Sequence, residues 1–498
     1  MVKSVIDYLK ASCRAHGNKI AFKDSGGNKI SFNQLYSSCK KIGSFIIDKI
    51  QIKEKPIVVI TERNINSIAS FLGVLFSGNF YVPVDATLPQ ERMAEMLKII
   101  DPVLIINCAD KEYESFQYDF INVADISPVN IYKHPRINSN SPMYGIFTSG
   151  STGLPKLVVK DHRSIVSFID EYVEKFNYSE NDIQGNQIPF YFDASTKDLF
   201  TTLKVGCTTN IIGKSYFAQP GKLAEYIIKN RINSICWVPS ALTILSMFNV
   251  FSKMDLTQIK KVLFVGEPMN IKQLSIWFKA LPNTRFINLY GSTENAGNCL
   301  YYEVKEQALK MDRLPVGRAF DGAKVFLLDE NNNIISESNT SVKGEICVSG
   351  DFLALGYYKN SKTTEQKFCQ NPTNLDYYER ILRTGDIGEY DKSGNIIYVC
   401  RKDYQIKLNG YRIELGDIES ATMQFDSIIS CCCLYNEKRK QVFLVYSANK
   451  EINTQIIDYL KQKLPSYMVP AKAFYLQSMP LNKNGKIDRA QLQNLFLN

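Results

Sequence analysis

The stretch Tyr144 to Lys156, YGIFTSGSTGLPK, decides how the rest of this sequence is interpreted. After a short apolar run it places four hydroxyl side chains and two glycines ahead of a lysine, namely Thr148, Ser149, Gly150, Ser151, Thr152, Gly153 and Lys156. Glycines let backbone N–H groups converge, hydroxyls add donors and a lysine adds positive charge, which suits a polyphosphate. Ser151 and Thr152 stand where a Walker A loop needs lysine followed by serine or threonine. Taken alone, the stretch fits a phosphate cradle and a plain Ser/Gly surface loop equally well.

The composition is that of a folded protein of several domains. The 498 residues are about three times the roughly 150 that one domain takes. Hydrophobic residues make up 45% and charged residues 22%, which excludes a disordered or fibrous chain. The net charge of +9 is spread along the chain, so it predicts neither a nucleic-acid partner nor a membrane surface. A mild positive excess does suit a protein that handles anionic ligands.

Histidines and cysteines exclude a metal centre built from these side chains. Only three histidines occur, and the twelve cysteines form no CxxC pair. The adjacent Cys431, Cys432 and Cys433 alternate between the faces of a strand, so they cannot enclose a zinc ion. Free thiols in a reducing cytosol are expected, which predicts a cytoplasmic protein.

One uncharged segment, Asn64 to Val84, is long enough to cross a bilayer. Polar residues, a glycine and a proline interrupt it, so the sequence predicts a buried helix followed by a strand rather than a membrane span.

The pattern of strands and helices predicts an α/β fold in two domains. Short β-rich runs alternate with helical patterns through the first four hundred residues, which indicates layered α/β sheets. From about Lys324 strands joined by Asn- and Gly-rich turns predict a small β-barrel-like part. A smaller α+β unit follows Arg401-Lys402-Asp403. We therefore predict an N-terminal core over 1–402 and a mobile C-terminal lid domain over 403–498, with a hinge near Asp403.

The glycine- and hydroxyl-rich stretch is the first of nine ordered motifs. After it come FDAS (192–195), GEP (266–268), NLYGSTE (288–294), GEI (344–346), RTGD (383–386), RKDYQIK (401–407), LPSYMVP (464–470) and NGKIDR (484–489). From Ile30 to Arg489 the sequence resembles the adenylate-forming superfamily of acyl-CoA synthetases, luciferases and adenylation domains of nonribosomal peptide synthetases. It is most similar to the amino-acid-activating branch, which includes the stand-alone D-alanine–carrier protein ligases.

This resemblance implies an ATP site. Members of the superfamily convert a carboxylate and ATP to an acyl-adenylate and pyrophosphate, and then pass the acyl group to a thiol. Asp386 matches the residue that holds the ribose, Arg401 supports it, and Tyr290 and Asn288 match the groups beside adenine. The positions that the resemblance assigns to ATP are Thr148, Ser149, Gly150, Ser151, Thr152, Gly153, Lys156, Gly266, Glu267, Asn288, Tyr290, Gly291, Ser292, Thr293, Asp386, Arg401 and Lys486.

The resemblance also implies the catalytic groups. Lys486 matches the lysine that reaches the carboxylate and phosphate oxygens, and Thr148 matches a phosphate contact. Glu294 matches the Mg²⁺ ligand, a role that suits one carboxylate beside phosphate oxygens. Asp403 matches the hinge for a rotation between the two half-reactions.

Asp193 bears on the substrate class, because the matching aspartate in amino-acid-activating members pairs with the α-ammonium. Two other roles remain open at this point: Asp193 caps the helix that it opens, or Lys197 neutralises it from one turn along that helix. The pocket positions that the resemblance implies are Asp193, Ala194, Lys197, Trp237, Leu263, Val265, Leu289, Gly297 and Asn298. Lys197 resembles a lysine of some glutamate-activating domains, so an acidic substrate side chain and a lysine turned to solvent both stay open.

The sequence therefore predicts a ligase that uses ATP and Mg²⁺ to activate an amino acid. No carrier motif follows Arg489, so a separate carrier protein bearing phosphopantetheine is the expected acceptor. An acid–CoA ligase, a D-alanine–carrier protein ligase and a non-catalytic nucleotide-binding scaffold are the alternatives.

Overall fold

A computed structural model of the chain describes residues 4–111, 113, 117–129, 135–148, 155–340, 342–402, 405–480 and 487–497. Strands and helices alternate as far as residue 290, in the order α1 (Val5–His16), β1 (Ile20–Asp24), β2 (Lys29–Ser31), α2 (Phe32–Ile50), β3 (Pro56–Thr61), α3 (Ile65–Phe76), β4 (Phe80–Asp85), α4 (Gln90–Ile100), β5 (Leu104–Asn107), β6 (Phe120–Asn122), β7 (Pro142–Thr148), β8 (Lys156–Asp161), α5 (His162–Lys175), β9 (Ile183–Asn186), α6 (Thr196–Val205), β10 (Thr208–Ile211), α7 (Lys214–Phe217), α8 (Pro220–Lys229), β11 (Ser234–Trp237), α9 (Pro239–Met247), β12 (Lys261–Val265), α10 (Ile271–Ala280) and β13 (Arg285–Tyr290).

The remaining elements are mainly strands up to residue 414 and a mixture of strands and helices after it. They are β14 (Leu300–Glu303), β15 (Arg318–Ala319), β16 (Ala323–Leu328), β17 (Gly344–Gly350), β18 (Gly356–Tyr357), α11 (Ser361–Lys367), β19 (Phe368–Gln370), β20 (Arg380–Tyr390), β21 (Ile396–Arg401), β22 (Gln405–Leu408), β23 (Tyr411–Glu414), α12 (Leu415–Met423), β24 (Ile428–Asn436), β25 (Gln441–Ala448), α13 (Asn453–Lys463), β26 (Lys472–Leu476) and α14 (Arg489–Phe496).

Three larger sheets organise the chain up to residue 401. A nine-stranded sheet runs in the order β15-β14-β13-β12-β11-β9-β10-β1-β2, and its inner strands from β1 to β13 are parallel. A seven-stranded sheet has the order β18-β8-β7-β4-β3-β5-β6. The third sheet is five-stranded and antiparallel, with β16, β17, β20 and β19 in line and β21 beside β20. The predicted fold class is confirmed, because this third sheet is the small β-barrel-like part beside layered α/β sheets.

The uncharged segment Asn64 to Val84 forms the predicted buried helix and strand. Asn64 caps α3 by accepting a hydrogen bond from the Ser67 backbone N–H, and every residue of α3 except Asn66 is buried. β4 follows and pairs in parallel with β3. Within the described ranges, no helix has the length and apolar character needed to cross a bilayer.

The contacts divide the chain into two compact units. The first comprises Met1–Ala86, Asp101–Ile146 and Leu157–Lys402, and the second comprises Thr87–Ile100, Phe147–Lys156 and Asp403–Asn498. The second unit thus contains the predicted C-terminal domain together with two segments from earlier in the chain. The predicted boundaries and the hinge remain a prediction, because Asp403 lies outside the described residues.

The second unit is built on a three-stranded sheet, β24-β25-β26, with α12 and α13 packed beside it. Its core contains Ile418, Leu444, Tyr446 and Leu460, all of them fully buried. Helix α4 also belongs to this unit, and its Arg92 lies 3.9 Å from the Asp417 carboxylate. These contacts give the second unit an apolar core of its own.

Two apolar clusters pack against the nine-stranded sheet of the first unit. The first core cluster includes Leu263 and Leu289, whereas the second core cluster includes Trp237, Phe264 and Trp277. Side chains that alternate along β12 therefore enter different clusters, which is the period-two pattern of a sheet covered on both faces.

Asp161 joins β8 to α5 and offers a test of local stability. Its carboxylate accepts a hydrogen bond from the Ser164 backbone N–H at 2.9 Å and so caps α5. Asp161→Ala should lower the free energy of unfolding by about 1 kcal/mol, because an N–H at the helix start loses its acceptor. Urea denaturation followed by circular dichroism measures this change. Asp161→Asn keeps an acceptor and is the control; an equal loss in both variants would contradict the capping role.

Candidate active site

Asp386, Arg401 and Tyr290 form one buried cluster, as the sequence predicts. Strands β20 and β21 place Asp386 opposite Arg401, whose Nη1 lies 2.7 Å from Oδ1 of Asp386. The Tyr290 hydroxyl donates to the other carboxylate oxygen, Oδ2. Burial and the neighbouring Asp386 raise the pKa of Tyr290, so the hydroxyl remains a donor at neutral pH. The carboxylate is thereby fixed in orientation between two donors.

Further residues predicted to bind ATP lie at the carboxyl ends of β12 and β13. This is the edge where open α/β sheets bind ligands. Asn288 Nδ2 donates to the Pro315 carbonyl at 2.8 Å, which fixes the plane of this amide. The turn after β13 contains Gly291, Ser292 and Thr293, and no described residue pairs with the buried Oγ of Ser292. A buried hydroxyl without a partner is suited to a ligand that supplies one.

Gly266 and Glu267 follow β12 directly. Gly266 has a φ of +102°, a conformation that favours glycine. Glu267 Oε2 accepts a hydrogen bond from the Ser240 backbone N–H at 3.3 Å. Both residues therefore lie at the same sheet edge as Asn288 and Tyr290.

Glu294 is the predicted Mg²⁺ ligand. It is buried, and its Oε1 accepts a hydrogen bond from the Tyr357 hydroxyl at 2.7 Å. Among the described residues, no group of three or more His, Cys, Asp or Glu side chains could hold a metal ion. A single oriented carboxylate fits Mg²⁺, which takes one or two protein carboxylates and fills its shell with phosphate oxygens and water.

The remaining nucleotide and catalytic predictions concern residues of the second unit or residues that the structure does not describe. Thr148 and Lys156 belong to the second unit, where the Thr148 hydroxyl donates to the Lys156 carbonyl at 3.4 Å. The other predicted positions lie outside the described residues, namely Ser149, Gly150, Ser151, Thr152, Gly153, Asp403 and Lys486. Their roles stay predictions.

Asp193 has a protein partner that the sequence interpretation missed. The buried Lys160 on β8 donates from Nζ to Oδ1 of Asp193 and to the main-chain carbonyl of Asn295. The Tyr144 hydroxyl also donates to Oδ1, at 2.7 Å. The proposed neutralisation of Asp193 by Lys197 is therefore wrong, because Lys160 makes that ion pair. The sequence signal for this partner was the lysine that ends the otherwise apolar run LVVK (157–160).

Asp193 also does not cap α6 with its side chain. It lies in the 3-10 turn before α6, and at the start of that helix its carbonyl rather than its carboxylate accepts a hydrogen bond, from the Thr196 hydroxyl at 2.7 Å. Its carboxylate therefore faces Lys160 and Tyr144 rather than the start of the helix.

The predicted pocket residues do not all share one face of the sheet. The register pairs Cys236 with Leu263 and Val265 with Leu289, so these side chains lie on one face with the first core cluster. Trp237 pairs with Phe264 and lies on the opposite face, where its Nε1 donates to the Gly185 carbonyl at 2.7 Å. Cys236 rather than Trp237 therefore shares the sheet face of Leu263, Val265 and Leu289, and the period-two alternation of β11 was the sequence signal for this arrangement.

Gly297 is one of the predicted pocket positions, but no open space lies beside it. A Cβ at this position would lie 2.2 Å from the Phe168 ring, so the ring already fills the space of the missing side chain. The nearby Asn298 is buried with Oδ1 unpaired in the described part of the chain, and Ala194 is half-buried.

The comparison with known families decides what this site is. The sequence profile of the AMP-binding enzymes matches residues 9–358. The chain belongs to the AMP-binding enzyme family. As a member of this family it is an adenylate-forming ligase, and such ligases use ATP.

Individual relatives agree with this membership. The D-alanine–D-alanyl carrier protein ligase of Staphylococcus aureus is 28% identical over 99% of both chains. A mycosubtilin synthase of Bacillus subtilis is 29% identical over 93% of this chain, which covers 18% of that protein. A solved NRPS protein that contains adenylation and PCP domains, bound to a vinylsulfonamide inhibitor, has a TM-score of 0.88 and 25% identity over 99% of this chain and 84% of its own.

Gly297 provides a test of the packing at the site. Gly297→Ala should lower the free energy of unfolding by about 2–4 kcal/mol, because the methyl group meets Phe168 and the φ of +76° disfavours a side chain. Gly221→Ala is the matched control, since nothing lies within 4 Å of its Cβ position and it stands in α8. Urea denaturation compares the two variants, and a Gly297→Ala protein as stable as the control would refute this packing.

Proposed function

We propose that this chain activates an amino acid as an aminoacyl-adenylate, with release of pyrophosphate, and passes it to the phosphopantetheine thiol of a separate carrier protein. The observation that supports an amino acid is an unpaired acceptor atom on the buried Asp193. Within the described residues, no donor reaches its Oδ2 atom.

Unpaired acceptors need donors from the ligand. An α-ammonium offers three N–H groups, whereas a fatty or aryl acid offers none. Each buried acceptor left unpaired costs about 1–3 kcal/mol. Oδ2 of Asp193 therefore favours a substrate that carries an ammonium, and it disfavours the acid–CoA ligase alternative.

The activation step joins two anions, so it needs positive charge and donors around the α-phosphate. In this proposal Lys486 contacts the carboxylate and phosphate oxygens, and Thr148 contacts phosphate. Asp386 and Arg401 orient the ribose, while Glu294 holds Mg²⁺. Bound Mg²⁺ would neutralise phosphate charge and orient the pyrophosphate leaving group.

A separate carrier protein is the proposed acceptor. The S. aureus relative is named for a carrier protein and matches this chain over 99% of both lengths. D-Alanine itself is a candidate substrate for the same reason. The buried Lys197 argues against it, because a methyl side chain offers no partner for an ammonium group.

A cytoplasmic location is part of the proposal and rests on the cysteines. All twelve are unpaired thiols, including the buried Cys236 and Cys299. Unpaired thiols are typical of a reducing compartment.

Lys486 provides the test of the activation step. Lys486→Ala should lower amino-acid-dependent exchange of pyrophosphate into ATP by at least about a hundredfold, because the reacting groups lose a cation. ATP binding, measured by equilibrium dialysis, should change little. Lys472→Ala, at an exposed position of β26, is the control for removal of a lysine from the same region.

Three results would count against the proposal. Loss of ATP binding in Lys486→Ala would contradict the catalytic role of this lysine. Exchange only with acids that lack an amino group would overturn the amino-acid assignment. Exchange without transfer to any holo carrier protein, but with transfer to coenzyme A, would favour the acid–CoA ligase.

A further inference from the structure

Glu345, the glutamate of the GEI motif, has no predicted role in the nucleotide site but contacts the chain around Asp386. It lies on β17 and is 5% exposed. Its Oε1 atom accepts a hydrogen bond from the Gly385 backbone N–H at 3.0 Å. Its Oε2 atom accepts one from Arg383 Nε at 3.0 Å and one from Lys402 Nζ at 2.9 Å. One buried carboxylate thus gathers three donors from both sides of Asp386.

These donors keep Glu345 charged. Burial raises the pKa of this carboxyl, but Lys402, Arg383 and the Gly385 N–H outweigh burial and lower the pKa below its ordinary value. The group is therefore ionised at neutral pH. Hydrogen bonds to an ionised group are roughly twice as strong as bonds between neutral groups, so Glu345 is a firm anchor for its three partners.

Glu345 lies opposite an irregular part of β20. It pairs with Ile387, whereas two residues further along β17 the partner is Arg383. One residue of β17 therefore stands opposite three of β20, and this bulge contains Gly385, with a φ of +77°, and Asp386. A bulge redirects a side chain and takes backbone groups out of the regular ladder, so these groups need other partners. The Glu345 carboxylate supplies that partner for the Gly385 N–H.

The neighbouring strand β21 is held by the same carboxylate. Lys402 follows Arg401 directly, and its backbone N–H donates to the Gly385 carbonyl at 2.9 Å. Its ammonium group contacts Glu345. The Arg401 guanidinium in turn contacts Asp386. Glu345 therefore braces both strand ends whose side chains form the Asp386–Arg401 pair.

We propose that Glu345 is a positioning residue for the recognition of the ATP ribose. It fixes the bulge through Gly385 and the end of β21 through Lys402, and it thereby holds the Asp386 carboxylate where the ribose hydroxyls donate to it. Without this anchor the bulge relaxes and the carboxylate loses its fixed orientation. The inference rests on the proposed function, in which Asp386 orients the ribose.

The test compares ATP with analogues that lack one ribose hydroxyl. Binding of ATP, 2′-deoxy-ATP and 3′-deoxy-ATP is measured by equilibrium dialysis with Mg²⁺. The wild-type chain should prefer ATP by about tenfold or more, since each analogue loses a hydrogen bond to a charged group. Glu345→Gln should lower this preference at least about threefold, because the amide lacks the charge that holds Arg383 and Lys402.

A double-substitution cycle separates positioning from plain stability. Asp386→Asn removes the carboxylate itself and should lower the preference for ATP at least as far as Glu345→Gln. The double variant should show no further loss, because Glu345 acts through Asp386. Lys402→Met removes one donor at an exposed position and should give a smaller loss in the same direction. Glu389→Gln, on the same strand as Asp386, is the control and should leave the preference unchanged.

The outcomes distinguish the inference from the proposed activity. An unchanged preference in Glu345→Gln, or in Lys402→Met if Glu345→Gln does not fold, would overturn the inference even where all three nucleotides bind more weakly. A further loss in the double variant would also overturn it. Equal binding of the three nucleotides by the wild-type chain would refute the ribose role of Asp386 on which it rests.

Pyrophosphate exchange is measured on the same proteins. A preference for ATP that falls in Glu345→Gln, together with no amino-acid-dependent exchange in the wild-type chain, would support the inference and refute the proposed activity alone.

Discussion

The ion pair between Lys160 and Asp193 connects parts of the first unit that are distant in sequence. Lys160 lies on β8 of the seven-stranded sheet, whereas Asp193 precedes α6 and Asn295 follows β13 of the nine-stranded sheet. One buried ammonium group thus joins two sheets at the place where a substrate is expected. Breaking such a buried pair costs about 3–5 kcal/mol, because the remaining charge stays enclosed. The geometry of the pocket therefore depends on a charge that the substrate does not provide.

Much of the fold follows from local sequence patterns. Helical periodicity predicts the helix Ile65 to Phe76 with its observed bounds. The apolar run SICWV predicts a strand over Ser234 to Val238, and β11 ends one residue earlier. Apolar periodicity and a capping asparagine are sufficient signals for such elements. The motif series likewise predicts that Tyr290, Asp386 and Arg401 act together, and the structure brings these three side chains into contact.

The pocket is harder to predict because its details depend on pairing across the sheet. Whether Cys236 or Trp237 faces the site is decided by the register with β12, and a shift of one residue exchanges the two faces. Lys160 reaches Asp193 across 33 positions in sequence, a distance that no local pattern encodes. The role of Gly297 depends in the same way on Phe168, a residue of a distant helix. Each of these cases is a long-range contact, whereas each correct prediction rests on a local pattern or a motif.

The burial of Trp237 and Trp277 has an optical consequence. These are the only two tryptophans of the chain, and both lie fully enclosed in the second core cluster, on the sheet face opposite Cys236 and Leu263. Intrinsic indole fluorescence of this protein therefore reports on the integrity of that cluster. A ligand that binds beside Asp193 leaves the surroundings of both indole rings unchanged. Unfolding therefore changes the tryptophan fluorescence, whereas a substrate titration does not.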